Sequence, residues 1–191
     1  MALLAAGLPC RRWLCLLLVL LLPLGPEVSA RAQVPDYQIK AVFLFNFTEF
    51  VEWPSDAFAD AQKPLVIGVL GDDPFDGYLD ATIRGEKVGN RPLLVRRYRR
   101  VEDVDACQVL FISRSEIDRL EPIIDSLKHR SILTVSDVDG FTQHGGMIRF
   151  VTRRNHVRLQ INLAATQAAG LTLSSKLLQV AEVMPRDRGR Q

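Results

Sequence analysis

Cysteine is scarce in this chain of 191 residues: there are three in all, and Cys10 and Cys15 both fall close to the start. The remaining Cys107 has no partner farther along, which excludes a disulfide framework in the body of the chain. It stands just ahead of Val109, Leu110 and Phe111, an apolar strand in which a thiol is buried, inert and raised in pKa. No pair among His129, His144 and His156 has the spacing of a helical zinc motif. His129 closes a helix, where a cation favours the dipole, His156 falls in a hairpin turn, and only His144, beside Gly145 and Gly146, has suggestive company. Ser174 and Ser175 lack a nucleophile-elbow context. Internal repeats and low-complexity tracts are absent as well. These absences argue against a metal or thiol enzyme and a serine hydrolase, and the sequence calls for no cofactor and no metal.

What is present begins with Arg11 and Arg12, followed by an apolar, leucine-rich run from Trp13 to Leu24. That run is shorter than the ~20 residues of a membrane span and reads as the core of a signal peptide. Small residues at Val28-Ser29-Ala30 and Ala30-Arg31-Ala32 offer two cleavage sites. The second is preferred, making residues 1–32 the signal peptide and 33–191 a single mature domain. Neither Cys10 nor Cys15 ends the apolar core as a lipobox would, so a soluble, unanchored periplasmic protein is expected. Cleavage removes three of the 24 basic and one of the 22 acidic residues, leaving 21 of each. No basic stripe with interleaved aromatics survives, and nucleic acid is not an expected partner.

In the mature chain, YQIKAVFLFNFTEFVEWP from Tyr37 places Ile39, Val42, Phe43, Phe47, Phe50 and Val51 at helical spacings, widened by Ala41 and Phe45. This predicts a helix buried along most of its length and ended by Pro54. Leu65 to Leu70 is an apolar strand, and Asp73 with Pro74 predicts a helix through about Ile83. Gly85 and Gly89-Asn90 mark turns; Leu93 to Tyr98 and Val109 to Ile112 are further strands. Ser113 with Glu116 forms a capping box for a helix to about Lys128, and Ser131 to Ser136 is a fourth strand. A hairpin follows, with Met147 to Val151 and Val157 to Ile161 as strands and Arg153 to Asn155 as the break. Asn162 caps a short helix closed by Gly170, and Ser174 or Ser175 caps a last one carrying Leu177, Leu178, Val180, Ala181 and Val183. The rhythm predicts an α/β fold, a three-layer α/β/α sandwich with a mixed sheet, a C-terminal β-hairpin and a helical tail.

Three constellations invite a chemical reading. GVLGDDPF follows the first strand where nucleotide folds hold phosphate, yet it matches neither dinucleotide nor P-loop patterns, and Asp72 and Asp73 would repel the anion. Gly71 there reads as a structural turn residue. Asp72, Asp73, Asp137 and Asp139 follow strands that could be neighbours, but without a calcium-loop pattern their default duty is turns and caps. Trp53, at the end of the first helix, reads as core, or else as lining a pocket or facing a partner, with Glu52 as its polar handle. Gly145 and Gly146 read as backbone turning or passing close to another segment.

The segments NFTEFVEWP, VIGVLGDDPF, CQVLFIS, GGMIRF and INLAATQAAGLTLSSKLLQVAEV, in this order from Tyr37 to Val183, resemble the YfiR-like family of secreted bacterial proteins. The resemblance implies a non-enzymatic periplasmic repressor of a membrane diguanylate cyclase, released by an outer-membrane partner, a lipoprotein, and self-associating as a homodimer. It also implies a ligand or partner site at Glu52, Trp53, Thr172 and Ser174, where the basic and imidazole side chains of the family are replaced, so that a small-molecule ligand would differ. Cysteine pairs of the repressor type are reduced here to Cys107, with Gly68 in its partner's place. The rival reading is a small-molecule-binding sensor or carrier presenting a ligand to a histidine kinase or transporter.

Overall fold

A computed structural model of the protein describes residues 36–58, 63–154 and 156–184. The signal peptide read at residues 1–32, and its cleavage sites, lie outside the described residues. The first helix, α1, covers Asp36–Phe50 and buries Lys40, Ala41, Leu44, Phe47 and Thr48, one stripe at helical spacing. Val42, expected inside, is 48% exposed. With apolar residues on nearly every side, the sequence does not select the buried face; contact with the sheet does.

The helix stops at Phe50 because the next two residues pair elsewhere. β1 (Val51–Glu52) is followed by a 3-10 turn at Ser55–Ala57 and by the fully buried β2 (Leu65–Leu70). The second helix, α2, is Tyr78–Ile83 and begins after Gly77 at φ 78°. Asp73 caps a turn instead, its Oδ1 accepting the Phe75 N–H at 2.8 Å, so the helix starts four residues later than Pro74 suggested. β3 (Lys87–Val88) and β4 (Arg91–Tyr98) form a hairpin across Gly89-Asn90, and β5 is Val109–Ile112. Ser113 does cap a helix, but the first turns, Arg114–Arg119, are 3-10, and α3 proper is Leu120–Leu127. β6 (Leu133–Ser136), β7 (Ile148–Arg153) and β8 (His156–Ile161) follow, with His156 paired to Arg153 in the ladder rather than lying in the turn.

The tail departs from its helical periodicity at its end. α4 (Leu163–Ala168) is capped by Asn162, and β9 (Thr172–Leu173) comes next. α5 (Ser175–Gln179) is capped by Ser174, and Ala181–Val183 forms β10 rather than a last helical turn. β10 pairs with β8 in parallel, and that ladder holds Ala181 to Val183 extended.

The main sheet has eight strands in the order β10-β8-β7-β6-β5-β2-β4-β3. β4, β2, β5, β6 and β7 run parallel, while β8 is antiparallel to β7. Alternation along β2 sends Leu65, Ile67 and Val69 to one core with Ala41, Leu44 and Phe47 of α1 and Leu79 of α2. Val66 and Leu70 go to the opposite core with Leu120, Ile123, Ile124 and Leu127 of α3. Helices therefore cover both faces of a mixed sheet, which is the three-layer α/β/α sandwich.

Candidate functional site

Glu52 and Thr172 are cross-strand partners. β1 and β9 form a separate two-stranded antiparallel pair in which Val51 opposes Leu173 and Glu52 opposes Thr172. Val51 and Leu173 are buried, so their neighbours in sequence, Glu52 and Thr172, are turned to solvent. The Ser174 N–H extends the ladder by donating to the Phe50 carbonyl at 2.9 Å. The Ser174 hydroxyl accepts the Leu177 N–H at 3.3 Å as the cap of α5. Trp53 is half-buried with its ring 6.5 Å from that of Phe58, and its Nε1 has no hydrogen-bond partner among the described residues. Phe58 in turn lies under the Arg91 guanidinium, 4.1 Å away. The structure thus brings Glu52, Thr172 and Ser174 together at the β1–β9 pair, with Trp53 next in the chain, as a carboxylate and hydroxyl surface beside an indole. Such a surface can accept hydrogen bonds or a cation.

A buried ionic cluster escaped the sequence reading. Lys40 Nζ lies 2.6 Å from Asp137 Oδ2 and 2.5 Å from Asp36 Oδ2, and sits over the Tyr37 ring at 4.2 Å. The Tyr37 hydroxyl donates to Asp137 Oδ2 at 2.9 Å, and Arg114 Nε donates to Asp137 Oδ1 at 3.1 Å. Burial alone would raise the Asp137 carboxyl, but hydrogen bonding and charge from Lys40, with Tyr37 and Arg114 behind it, hold it below the usual carboxylate range. Burial, followed by the Asp137 charge, pushes Tyr37 up to about 12. Asp137 is therefore no turn residue and no free metal ligand. Asp73 and Asp139 are likewise engaged, with Arg97 and Arg149. The available signal was a single lysine inside the apolar IKAVFLF run, four residues after Asp36.

Gly71, at φ 87°, ends β2 where the parallel strand order reverses between β2 and β5. Open α/β sheets bind ligands in the crevice at such a point. Here the crevice is filled: a Cβ on Gly71 would fall 2.4 Å from Ser115 Oγ and 2.8 Å from Glu116 Oε1. Gly146 makes a similar close approach, since a Cβ there would meet the buried Phe141 ring at 2.3 Å. Gly145 adopts φ 94°, and its Cβ would stand 3.3 Å from Ile124 Cγ2. His144 turns its Nδ1 to the Gly140 carbonyl at 2.8 Å, and His129 ends α3 in the left-handed region at φ 63°.

A family model described as YfiR/HmsC-like matches residues 37–182. This chain belongs to that family. In this YfiR/HmsC-like protein the match runs from the second residue of α1 to Glu182 in β10. No curated protein sequence matches the chain. A solved structure titled as a conserved domain protein from Vibrio cholerae superimposes on 62% of this chain at 12% identity and a TM-score of 0.43, and the overlap spans 54% of that protein's length. A Cβ on Gly68 would approach Cys107 Sγ at 2.8 Å, so Gly68 in β2 lies beside Cys107 just ahead of β5. Burial pushes the Cys107 thiol up to about 12, far from the thiolate that nucleophilic or redox chemistry needs. Among the described residues, no helix is long and apolar enough to cross a membrane.

Proposed function

We propose that this protein is a periplasmic, non-enzymatic regulator that binds the external domain of an inner-membrane diguanylate cyclase and holds the cyclase inactive. The observation that carries the reading is the family match over residues 37–182, which takes in both helical layers and the sheet. The chemistry of the fold agrees with it. Asp137 is held by Lys40, Tyr37 and Arg114, and Cys107 is a buried, protonated thiol, so these groups are committed to structure. Residues 1–32 would carry the chain across the inner membrane as a signal peptide. The patch of exposed Glu52 and Thr172 with half-buried Trp53 and Ser174 would serve as the ligand or partner surface, and an outer-membrane lipoprotein and a second copy of the chain complete the expected partners.

A soluble domain outside the cytoplasm can alter cytoplasmic chemistry only through a membrane-spanning partner whose two states it binds unequally. Moving that partner from mostly active to mostly inactive, from 1:99 to 99:1, requires a difference of about 5.5 kcal/mol. Deleting the gene is expected to raise cyclic di-GMP and surface adhesion, and the exported form, but not one lacking residues 1–32, is expected to restore both. Unchanged second-messenger levels in deletion strains with and without the cyclase would eliminate this reading in favour of a ligand-presenting sensor.

A further inference from the structure

A cleft of about 250 Å³ opens beside α3 and α4, lined mainly by Ile124, Leu127, Met147, Ala165, Ala168 and Ala169. Small residues keep it open. Three of the six are alanines of α4 or its cap, and Gly145 adds no side chain at a point already 3.3 Å from Ile124. The C-terminus of α3 turns aside at His129, which holds φ 63° where glycine is the usual choice.

One polar group inside is incompletely used. Thr134 is only 3% exposed and lines the cleft. Its hydroxyl oxygen accepts the Met147 N–H at 3.2 Å, while its hydroxyl proton has no acceptor among the described residues. A buried donor left without an acceptor is costly, and an oxygen on a bound molecule would relieve that cost. The lysine that lines the cleft is already paired: Lys128 Nζ lies 2.5 Å from Asp125 Oδ1, and both side chains face solvent. A charged ligand would therefore lose its hydration against apolar walls without a buried counter-ion.

We propose that this cleft binds a small uncharged molecule with an apolar body and one hydrogen-bond acceptor, such as a ketone, ester or alcohol. The acceptor meets the Thr134 hydroxyl and the body packs against Ile124, Leu127 and Met147. At about the 30 Å³ that each water occupies in the liquid, the cleft holds on the order of eight non-hydrogen atoms. The cleft shares no lining residue with the Glu52 surface and does not depend on the regulator reading.

The test titrates the exported protein with 2-heptanone, hexanoate and toluene while following the methyl resonances of Met147 and Ile124. Saturable shifts of both with 2-heptanone are expected, with hexanoate at least tenfold weaker. Ala168→Leu should abolish binding without moving the melting temperature, because Ala168 is at the exposed rim. Thr134→Val should bring 2-heptanone down to the affinity of toluene, and Thr134→Ser should keep it. Absence of saturable shifts with 2-heptanone, unchanged affinity in Ala168→Leu, hexanoate binding as tightly as the ketone, or equal ketone affinity in Thr134→Val and Thr134→Ser would each overturn the proposal.

Discussion

Lys40 and Asp137 meet as a buried ion pair, with Nζ 2.6 Å from Oδ2 and side chains only 3% and 2% exposed. The pair joins the first turns of α1 to the end of β6, and Asp137 Oδ1 adds Arg114 beyond β5. Desolvation offsets much of the attraction in such a pair, whereas removal of one partner strands the other charge in the core.

Lys40→Ala is accordingly expected to cost about 3–5 kcal/mol in chemical denaturation, with a double Lys40→Met, Asp137→Leu variant recovering most of the loss. The pH dependence has a definite sign. Because the Asp137 carboxyl is held below its unfolded value, its contribution is fully present above the ordinary carboxylate range, near pH 4, and is lost as pH falls through the depressed folded value. Asp137→Asn should flatten the acid limb of stability against pH; an unchanged limb would assign acid sensitivity to other groups.

Cys107 should resist a thiol reagent in the folded protein and react at once in denaturant, since burial both shields it and keeps it protonated. Gly68→Ala should destabilise by about 1–3 kcal/mol, because its Cβ would come within 2.8 Å of Cys107 Sγ, Leu110 Cδ1 and Tyr98 Cε2. An Ala variant as stable as wild type would mean that these side chains yield freely.

Asn162 holds three places together: its Oδ1 accepts the Ala165 N–H at 3.0 Å, its Nδ2 donates to the Thr142 carbonyl at 3.0 Å, and its own N–H donates to Met147 at 2.8 Å. Asn162→Ala should lower stability by about 1–2 kcal/mol, read from the denaturation midpoint. Hydrogen exchange should rise at the N–H of Ala165, which loses its acceptor.

Glu52→Ala and Thr172→Ala lie on an exposed surface and should change stability by less than about 0.5 kcal/mol. If this surface contacts the ligand or partner, the same variants should raise cyclic di-GMP in cells toward the level of the deletion strain. Normal repression by both would remove the patch from the functional account.

Features that depend on neighbours in sequence were legible before the structure. Leu65 to Leu70 reads as a buried strand, and Asn162 and either Ser174 or Ser175 read as caps, of which the structure uses Asn162 and Ser174, because an apolar run and a cap each act within a few residues. Distant pairing hid the remainder. Val51 and Glu52 continue a helical pattern until Leu173 and Thr172 claim them, and Ala181 to Val183 is helical in period until β8 draws it into the sheet. Lys40 is buried through its approach to Asp137, a partner 97 positions away. Glu52, Thr172 and Ser174 came from resemblance to a family, and their adjacency follows from the β1–β9 register.

The pairing of β1 with β9 has a consequence for the order of events in synthesis. Residues 51–52 leave the ribosome about 120 residues ahead of the partners that fix them. Phe43 and Phe47 likewise wait for Phe150, whose ring lies 5.9 and 6.0 Å from theirs. A helix apolar on nearly every side is therefore finished early and sheltered late. Long-range closure of this kind slows folding and leaves sticky surface uncovered meanwhile. Until the last strands emerge, the apolar residues of the first helix lack part of the sheet that covers them.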